Sequence, residues 1–133
     1  LAATSSSTWF TIIEQCFHAF NQRDLDGMLA CFAPDCQYED TLWEGSGAIV
    51  GKEQLRARWD RILSSLSMLG GSIDVQIIVD AMAQDPSTGT LAAQWHLEAA
   101  AGVTVPFSRG CSFYTTNLET GLIQTAFRVM ETP

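Results

Sequence analysis

Apolar residues in the first part of the chain recur at helical spacing. From Thr8 onward, Trp9, Ile12, Ile13, Cys16, Phe17 and Phe20 fall at i, i+3, i+4, i+7, i+8 and i+11, one wide stripe that predicts a helix broken at Asn21-Gln22-Arg23. Asp24 is placed to cap a short second helix with Leu25, Met28, Leu29 and Phe32 on one face, and Pro34 closes it. Cys36–Leu42 then alternates as a strand, with Tyr38 and Asp40 on one face and Gln37, Glu39 and Thr41 on the other. Trp43–Gly51 reads as a loop. Lys52–Ser67 predicts a third helix that buries Leu55, Trp59, Ile62, Leu63 and Leu66 and leaves Arg56, Arg58, Asp60 and Arg61 outside, with Gly70-Gly71 ending it.

Beyond the glycine pair the period changes to two. Ile73, Val75, Ile77 and Val79 alternate with Asp74, Gln76, Ile78 and Asp80. Asp85–Gly89 is a turn, Thr90–Ala100 a strand, Gly102 a turn, Val103–Thr116 a strand, Asn117–Gly121 a turn and Leu122–Met130 a final strand. Connections this short make the last four strands antiparallel neighbours. Helices first and a strand meander afterwards predict an α+β fold, a cone-shaped, curved antiparallel sheet wrapped around three N-terminal helices. Ile123, Phe127 and Val129 fall on the sheet's other face, an apolar patch that a homodimer through the sheet would cover.

Composition narrows the class. The chain has 133 residues, enough for one domain at 8–133 after a small, polar stretch at 1–7 that we expect to be frayed. It begins LAATSSST, like a trimmed end. A net charge of −8 with only 7 Lys+Arg gives no basic patch for nucleic acid or an anionic membrane, and no apolar run reaches the roughly 20 residues of a membrane helix. A soluble protein, cytoplasmic by preference, is expected. Cys16, Cys31, Cys36 and Cys111 have no zinc-like spacing and read as reduced, mostly buried thiols. No metal or cofactor motif is present, and G-x-S-x-G and phosphate loops are missing.

The order helix, helix, strand, helix, four strands, with Phe20-Asn21, Asp24-Leu25-Asp26-Gly27, Phe32-Ala33-Pro34-Asp35, Glu39-Asp40, Gly51 and Gly121, resembles the nuclear-transport-factor-2-like superfamily in its SnoaL-like polyketide cyclase and ketosteroid isomerase branch. The resemblance spans Thr8–Glu131 and implies a cystatin-like α+β barrel. It places Asp40 where such isomerases carry their general base, and Cys16 and Cys111 where they carry the donors of the oxyanion hole. A thiol donates a hydrogen bond poorly, which argues against steroid isomerisation.

With Cys111 turned inward as the resemblance implies, Phe107, Arg109 and Phe113 follow. The same alignment turns His96 and Glu98 inward and Trp95 and Leu97 outward, although a one-residue slip exchanges those sets; on the last strand it turns Gln124, Ala126, Arg128 and Met130 inward. The expected lining is Tyr38, Asp40, Trp59, His96, Glu98, Phe107, Arg109, Cys111 and Arg128, suited to a small apolar or aromatic ligand. One reading is a cyclase-, isomerase- or dehydratase-type enzyme that needs no cofactor. There Asp40 moves a proton on a carbonyl-bearing molecule, His96 is the partner acid or base, Tyr38 orients the ligand, and Arg109 or Arg128 holds a carboxylate or an enolate. The other is a non-catalytic ligand-binding or interaction domain, in which Asp40 and Glu98 form a structural ion-pair set with Arg109 and Arg128. A Cys111–His96 nucleophilic pair on adjacent strands is a further arrangement, His18 reads as solvated, and Trp43 is either a lid or a core plug.

Overall fold

The apolar stripe becomes α1 (Ala2–Asn21), which turns Ile13, Cys16, Phe17 and Ala19 into the core. The structure, a computed structural model, describes residues 2–41, 47–68 and 74–132, without the side chains of residues 2–11, 67, 68 and 101. The expectations for the side chain of Trp9, for Trp43 and for Ile73 therefore fall outside the described residues.

The end of α1 is tied down by its own polar residues. Asn21 acts as a stand-in strand for the edge of the sheet: its Nδ2 donates to the Ile77 carbonyl at 3.1 Å and its Oδ1 accepts from the Ile77 N–H at 2.7 Å. Arg23 takes a left-handed conformation (φ 57°), and its guanidinium donates to the Phe20 and Val75 carbonyls. Asp24 caps α2 (Leu25–Leu29) by accepting from the Gly27 N–H at 3.0 Å. Gly27 is required there, because a Cβ would meet the Asp24 carboxylate at 2.4 Å.

α2 is shorter than the sequence predicts. It ends at Leu29, and β1 (Phe32–Asp40) begins before Pro34. Pro34 is tolerated in the strand because it falls inside a register shift between Phe32 and Gln37, where a missing N–H breaks no ladder bond. A two-residue β2 (Ile49–Val50), absent from the sequence reading, pairs with Gln37 and Tyr38. α3 (Lys52–Met68) buries Leu55 and Trp59 as expected, but also Arg58, which shares their face at i+3 from Leu55.

β3 (Gln76–Asp85), β4 (Thr90–Ala99), β5 (Val103–Thr104), β6 (Gly110–Thr116) and β7 (Ile123–Met130) complete the fold. The sheet runs β2-β1-β7-β6-β4-β3, with β5 on β4. The later strands pair antiparallel as predicted, but β1 runs parallel to β7, so the sheet is mixed rather than wholly antiparallel. Register shifts in β1/β7, β3/β4 and β6/β7 bend it around the helices, and its two ends stay unjoined.

Val103–Thr116 is not one strand. Pro106 and a left-handed Phe107 (φ 55°) interrupt it, and Ser108 pins the turn, accepting from the Leu97 N–H and donating to the Val105 carbonyl. The interruption resets the phase of β6. Ser112, Tyr114 and Thr116 point inward, while Cys111 and Phe113 point out. On β4, Leu91, Ala93 and Trp95 point inward. Ile123, expected on the outer face, is wholly buried, because the register shift between Thr115 and Thr116 turns it into the core.

Gly110 makes this phase possible. A Cβ there would lie 2.6 Å from the Trp95 ring and 2.7 Å from the Val129 carbonyl oxygen, so the indole packs directly on the backbone. Gly110→Ala is expected to destabilise the fold by about 1–3 kcal/mol. Urea denaturation checks this, and an unchanged midpoint would show that the indole has room to move.

Candidate functional site

The cone's polar end is built by the two strands that run parallel. Asp40 at the end of β1 lies opposite Arg128 of β7, and Tyr38 lies opposite Ala126. Alternation brings Tyr38 and Asp40 to one face, where the Tyr38 hydroxyl donates to Asp40 Oδ2 at 3.0 Å. Arg128 Nη1 donates to the same hydroxyl at 3.1 Å and lies 4.0 Å from Asp40 Oδ2. The guanidinium stacks over Trp95, 4.8 Å from the ring centroid, and Trp95 Nε1 is held by Ser112 Oγ at 2.8 Å. The Asp40 side chain is only 2% exposed.

Burial pushes the Tyr38 hydroxyl up to about 12, with Arg128 opposing the rise, so at neutral pH it is a protonated donor. Burial likewise raises Tyr114. For Arg128, burial opposes the charged form, but Tyr38 and Asp40 outweigh it and hold the guanidinium firmly protonated.

A cavity of about 20 Å³ lies between this array and the helices, lined by Cys16, Phe17 and Phe20 of α1, Met28, Phe32, Tyr38, Trp59, Ile77, Tyr114 and Arg128. Tyr38 and Arg128 form its polar wall, and Asp40 stands behind Tyr38. The Trp59 ring is fixed edge-on against Phe32 and Tyr38, with centroids 5.1 and 5.8 Å away.

Of the expected site residues, Tyr38, Asp40, Trp59 and Arg128 come together here. His96, Glu98, Phe107, Arg109 and Cys111 do not, and their inward placement is corrected by the observed register. His96 and Glu98 lie across the sheet from Asp40, because Trp95, the larger apolar side chain, takes the core. Phe107 is exposed in the turn, Arg109 pairs with Glu131 at the surface, and Cys111 is an exposed thiol rather than a buried one. The ion-pair partners expected for Glu98 and Arg109 fall with that register; Cys111 and His96 share the outer face of adjacent strands, but Cys111 lies opposite Gln94 and both His96 ring nitrogens are taken by Asp80 and Glu98.

Tyr114 was missed. The signal that identifies it is Gly110 beside a tryptophan-bearing strand, since a glycine facing Trp95 sets Ser112 and Tyr114 on the same face two and four residues on. Among the described residues no group of three or more His, Cys, Asp or Glu side chains is arranged to hold a metal ion, and no helix is long and apolar enough to cross a membrane.

On the outer face His96 is clamped between carboxylates. Nδ1 lies 2.9 Å from Asp80, which occupies the β3 bulge, and Nε2 lies 2.6 Å from Glu98. Nearby, Cys111, Phe113, Phe127 and Val129 line an apolar groove of about 260 Å³ together with Ala81, Ala83 and Ala92. Phe113 and Phe127, directly opposed on β6 and β7, are 51% and 45% exposed.

The model of the SnoaL-like domain matches residues 13–125. A search of curated protein sequences finds no match. Among solved structures, a cystatin-like protein of unknown function from Methylobium petroleophilum is similar at TM-score 0.74 and 21% identity, over 96% of this chain and 78% of that one. The epoxide hydrolase/cyclase-like enzyme SalBIII, of pyran ring formation in the polyether salinomycin, is similar at TM-score 0.71 and 14% identity, over 96% and 93%. A Mycobacterium tuberculosis protein in complex with estradiol-17beta-hemisuccinate is similar at TM-score 0.68 and 20% identity, over 91% and 92%. At these identities the likeness is one of fold.

The His96 clamp sets a pH dependence. Hydrogen bonds that the ring donates to Asp80 and then to Glu98 raise its pKa above the ordinary value near 6.5. A raised folded pKa stabilises fully below the unfolded value and loses that contribution as pH rises through the folded one. The melting-temperature gap between the native protein and His96→Gln is therefore expected to be widest near pH 6 and to narrow toward alkaline pH. A gap that widens with pH would refute the clamp.

Proposed function

The chain belongs to the SnoaL-like domain family, and on that premise we propose that it binds a small, largely apolar molecule bearing a carbonyl inside the cone and moves a proton on it through Asp40 and Tyr38. The observation that carries this reading is a carboxylate buried behind, and hydrogen-bonded to, a tyrosine hydroxyl in the cavity wall, with a guanidinium bonded to the same hydroxyl. A buried carboxylate held in this way is a relay rather than a direct base. As the bond to hydrogen α to the carbonyl breaks, the Tyr38 oxygen takes that proton, the Tyr38 proton passes to Asp40 Oδ2, and the electron pair moves to the carbonyl oxygen. Return of the proton at the same or a conjugated carbon completes an isomerase- or cyclase-type step. Arg128 offsets the charge that accumulates. The likeness of fold to an epoxide hydrolase/cyclase-like enzyme and to a protein in complex with estradiol-17beta-hemisuccinate supports a small-molecule site of this kind.

One observation favours a non-catalytic binding domain instead. His96, the partner acid or base expected from the sequence, faces away from the cavity, leaving a single carboxylate system there. Deuterium exchange α to the carbonyl, followed by NMR across a panel of small enolisable ketones in D₂O, separates the two. We expect exchange above background that falls about 10²-fold or more in Asp40→Asn and Tyr38→Phe. Ketone binding without exchange would establish the binding-domain reading, and exchange untouched by either substitution would overturn the roles of Asp40 and Tyr38.

The outer groove fits a homodimer through the sheet, because a monomer would leave the opposed Phe113 and Phe127, with Val129, in water. A cytoplasmic location agrees with four free cysteines. Light scattering at micromolar concentration is expected to give a dimer mass that Phe127→Arg reduces to monomer; a native monomer would refute the interface.

A further inference from the structure

Two donors in the cavity wall lack a protein acceptor. Trp59 Nε1, on a residue only 4% exposed, and Arg128 Nε are both enclosed and make no hydrogen bond. An enclosed N–H without a partner is costly, and these two belong to residues that line one small cavity. Neither donor is free to turn away. Trp59 is locked edge-on between Phe32 and Tyr38. Arg128 is held by the Tyr38 hydroxyl, by the face of Trp95 and by Asp40. Tyr38 joins them: its hydroxyl accepts from Arg128 Nη1, and its ring packs edge-on against the Trp59 indole.

We infer that Trp59 Nε1 and Arg128 Nε, beside the Tyr38 hydroxyl, form the subsite for a neutral oxygen acceptor, the carbonyl oxygen of a ketone or aldehyde, and not for a carboxylate or phosphate. This deepens the proposed function, on which it rests, by naming the groups that receive the carbonyl. They differ from the two positions that the family resemblance assigns to oxyanion donors, which are Cys16 and Cys111 here, the second of them on the far side of the sheet.

Charge sets the preference for neutrality. Among the described residues lining the cavity Arg128 is the one cation, and its single charge already faces Asp40 at 4.0 Å. A second carboxylate would add a like charge beside a side chain that is almost wholly buried. A carbonyl oxygen brings lone pairs without that repulsion, and in the proton-transfer step it gains negative charge next to the guanidinium. Size agrees: about 20 Å³ takes one oxygen-sized group. The carbon body must displace apolar wall, of which Phe20 is the partly exposed member.

The test uses cyclohexanone, methylenecyclohexane, which has the same shape without the oxygen, and cyclohexanecarboxylate. Each is titrated by ¹⁵N–¹H NMR into the native protein and into Trp59→Phe, which keeps a ring but removes the N–H. The Trp59 indole resonance is assigned by its loss in the variant. We expect the ketone to bind about tenfold more tightly than the hydrocarbon, the carboxylate to bind most weakly, and the Trp59 Nε1–H resonance to move downfield with ketone alone. In Trp59→Phe the ketone advantage should shrink to a few-fold. Equal binding of ketone and hydrocarbon, tightest binding of the carboxylate, an unmoved indole resonance, or no binding of any probe would each overturn the subsite. The ranking of ketone, hydrocarbon and carboxylate is read in the native protein, so misfolding of the variant leaves that part of the test intact. Selective ketone binding without Asp40-dependent deuterium exchange would uphold the subsite and overturn the proton-transfer reading. Exchange without ketone selectivity would do the reverse.

Discussion

Arg128 carries a permanent positive charge into the cone, and desolvating an isolated charge of that kind costs several kcal/mol. Three groups offset it: the Tyr38 hydroxyl, the Asp40 carboxylate and the face of Trp95. Two come from β1 and one from β4, and both strands must be in register for the charge to be tolerated. β1 has to lie beside β7 so that Asp40 meets Arg128, and β4 has to present Trp95 rather than His96. The parallel pairing of the first and last long strands and the phase of the central ones are thus coupled through one side chain.

That phase separates the two faces of the sheet chemically. Inside, aromatic and sulfur-bearing side chains close around a short polar array with a tyrosine in the cavity wall and a carboxylate behind it. Outside, β6 and β7 present opposed phenylalanines, and β3 and β4 carry the Asp80–His96–Glu98 clamp. A one-residue slip of β6 would put Ser112 and Tyr114 into water and drive Cys111 and Phe113 into the cone. Gly110 under Trp95 resists the slip, because only a residue without Cβ admits the indole there.

The family fold is shared by proteins of varied chemistry, so the activity has to be argued from side chains rather than from architecture. In this chain the cavity wall carries Cys16 together with Trp59 and Arg128, whose Nε1 and Nε are enclosed donors.

Local periodicity determined the three helices, the strand-rich second half and the shared face of Tyr38 and Asp40 on β1, because those segments are continuous and follow a fixed repeat, whereas the inward placing of Ala126 and Arg128 on β7 came with the family resemblance. Tertiary structure decided the rest. The parallel β1–β7 contact joins segments far apart in the chain, which no local pattern reports. The faces of His96, Glu98, Arg109 and Cys111 depended on a phase that the left-handed turn at Phe107 resets and that the packing of Trp95 on Gly110 then holds. Asp40 was therefore legible as a candidate, whereas its partners were not: a strand's own alternation names its two faces, but only the neighbours it packs against decide which face is inside.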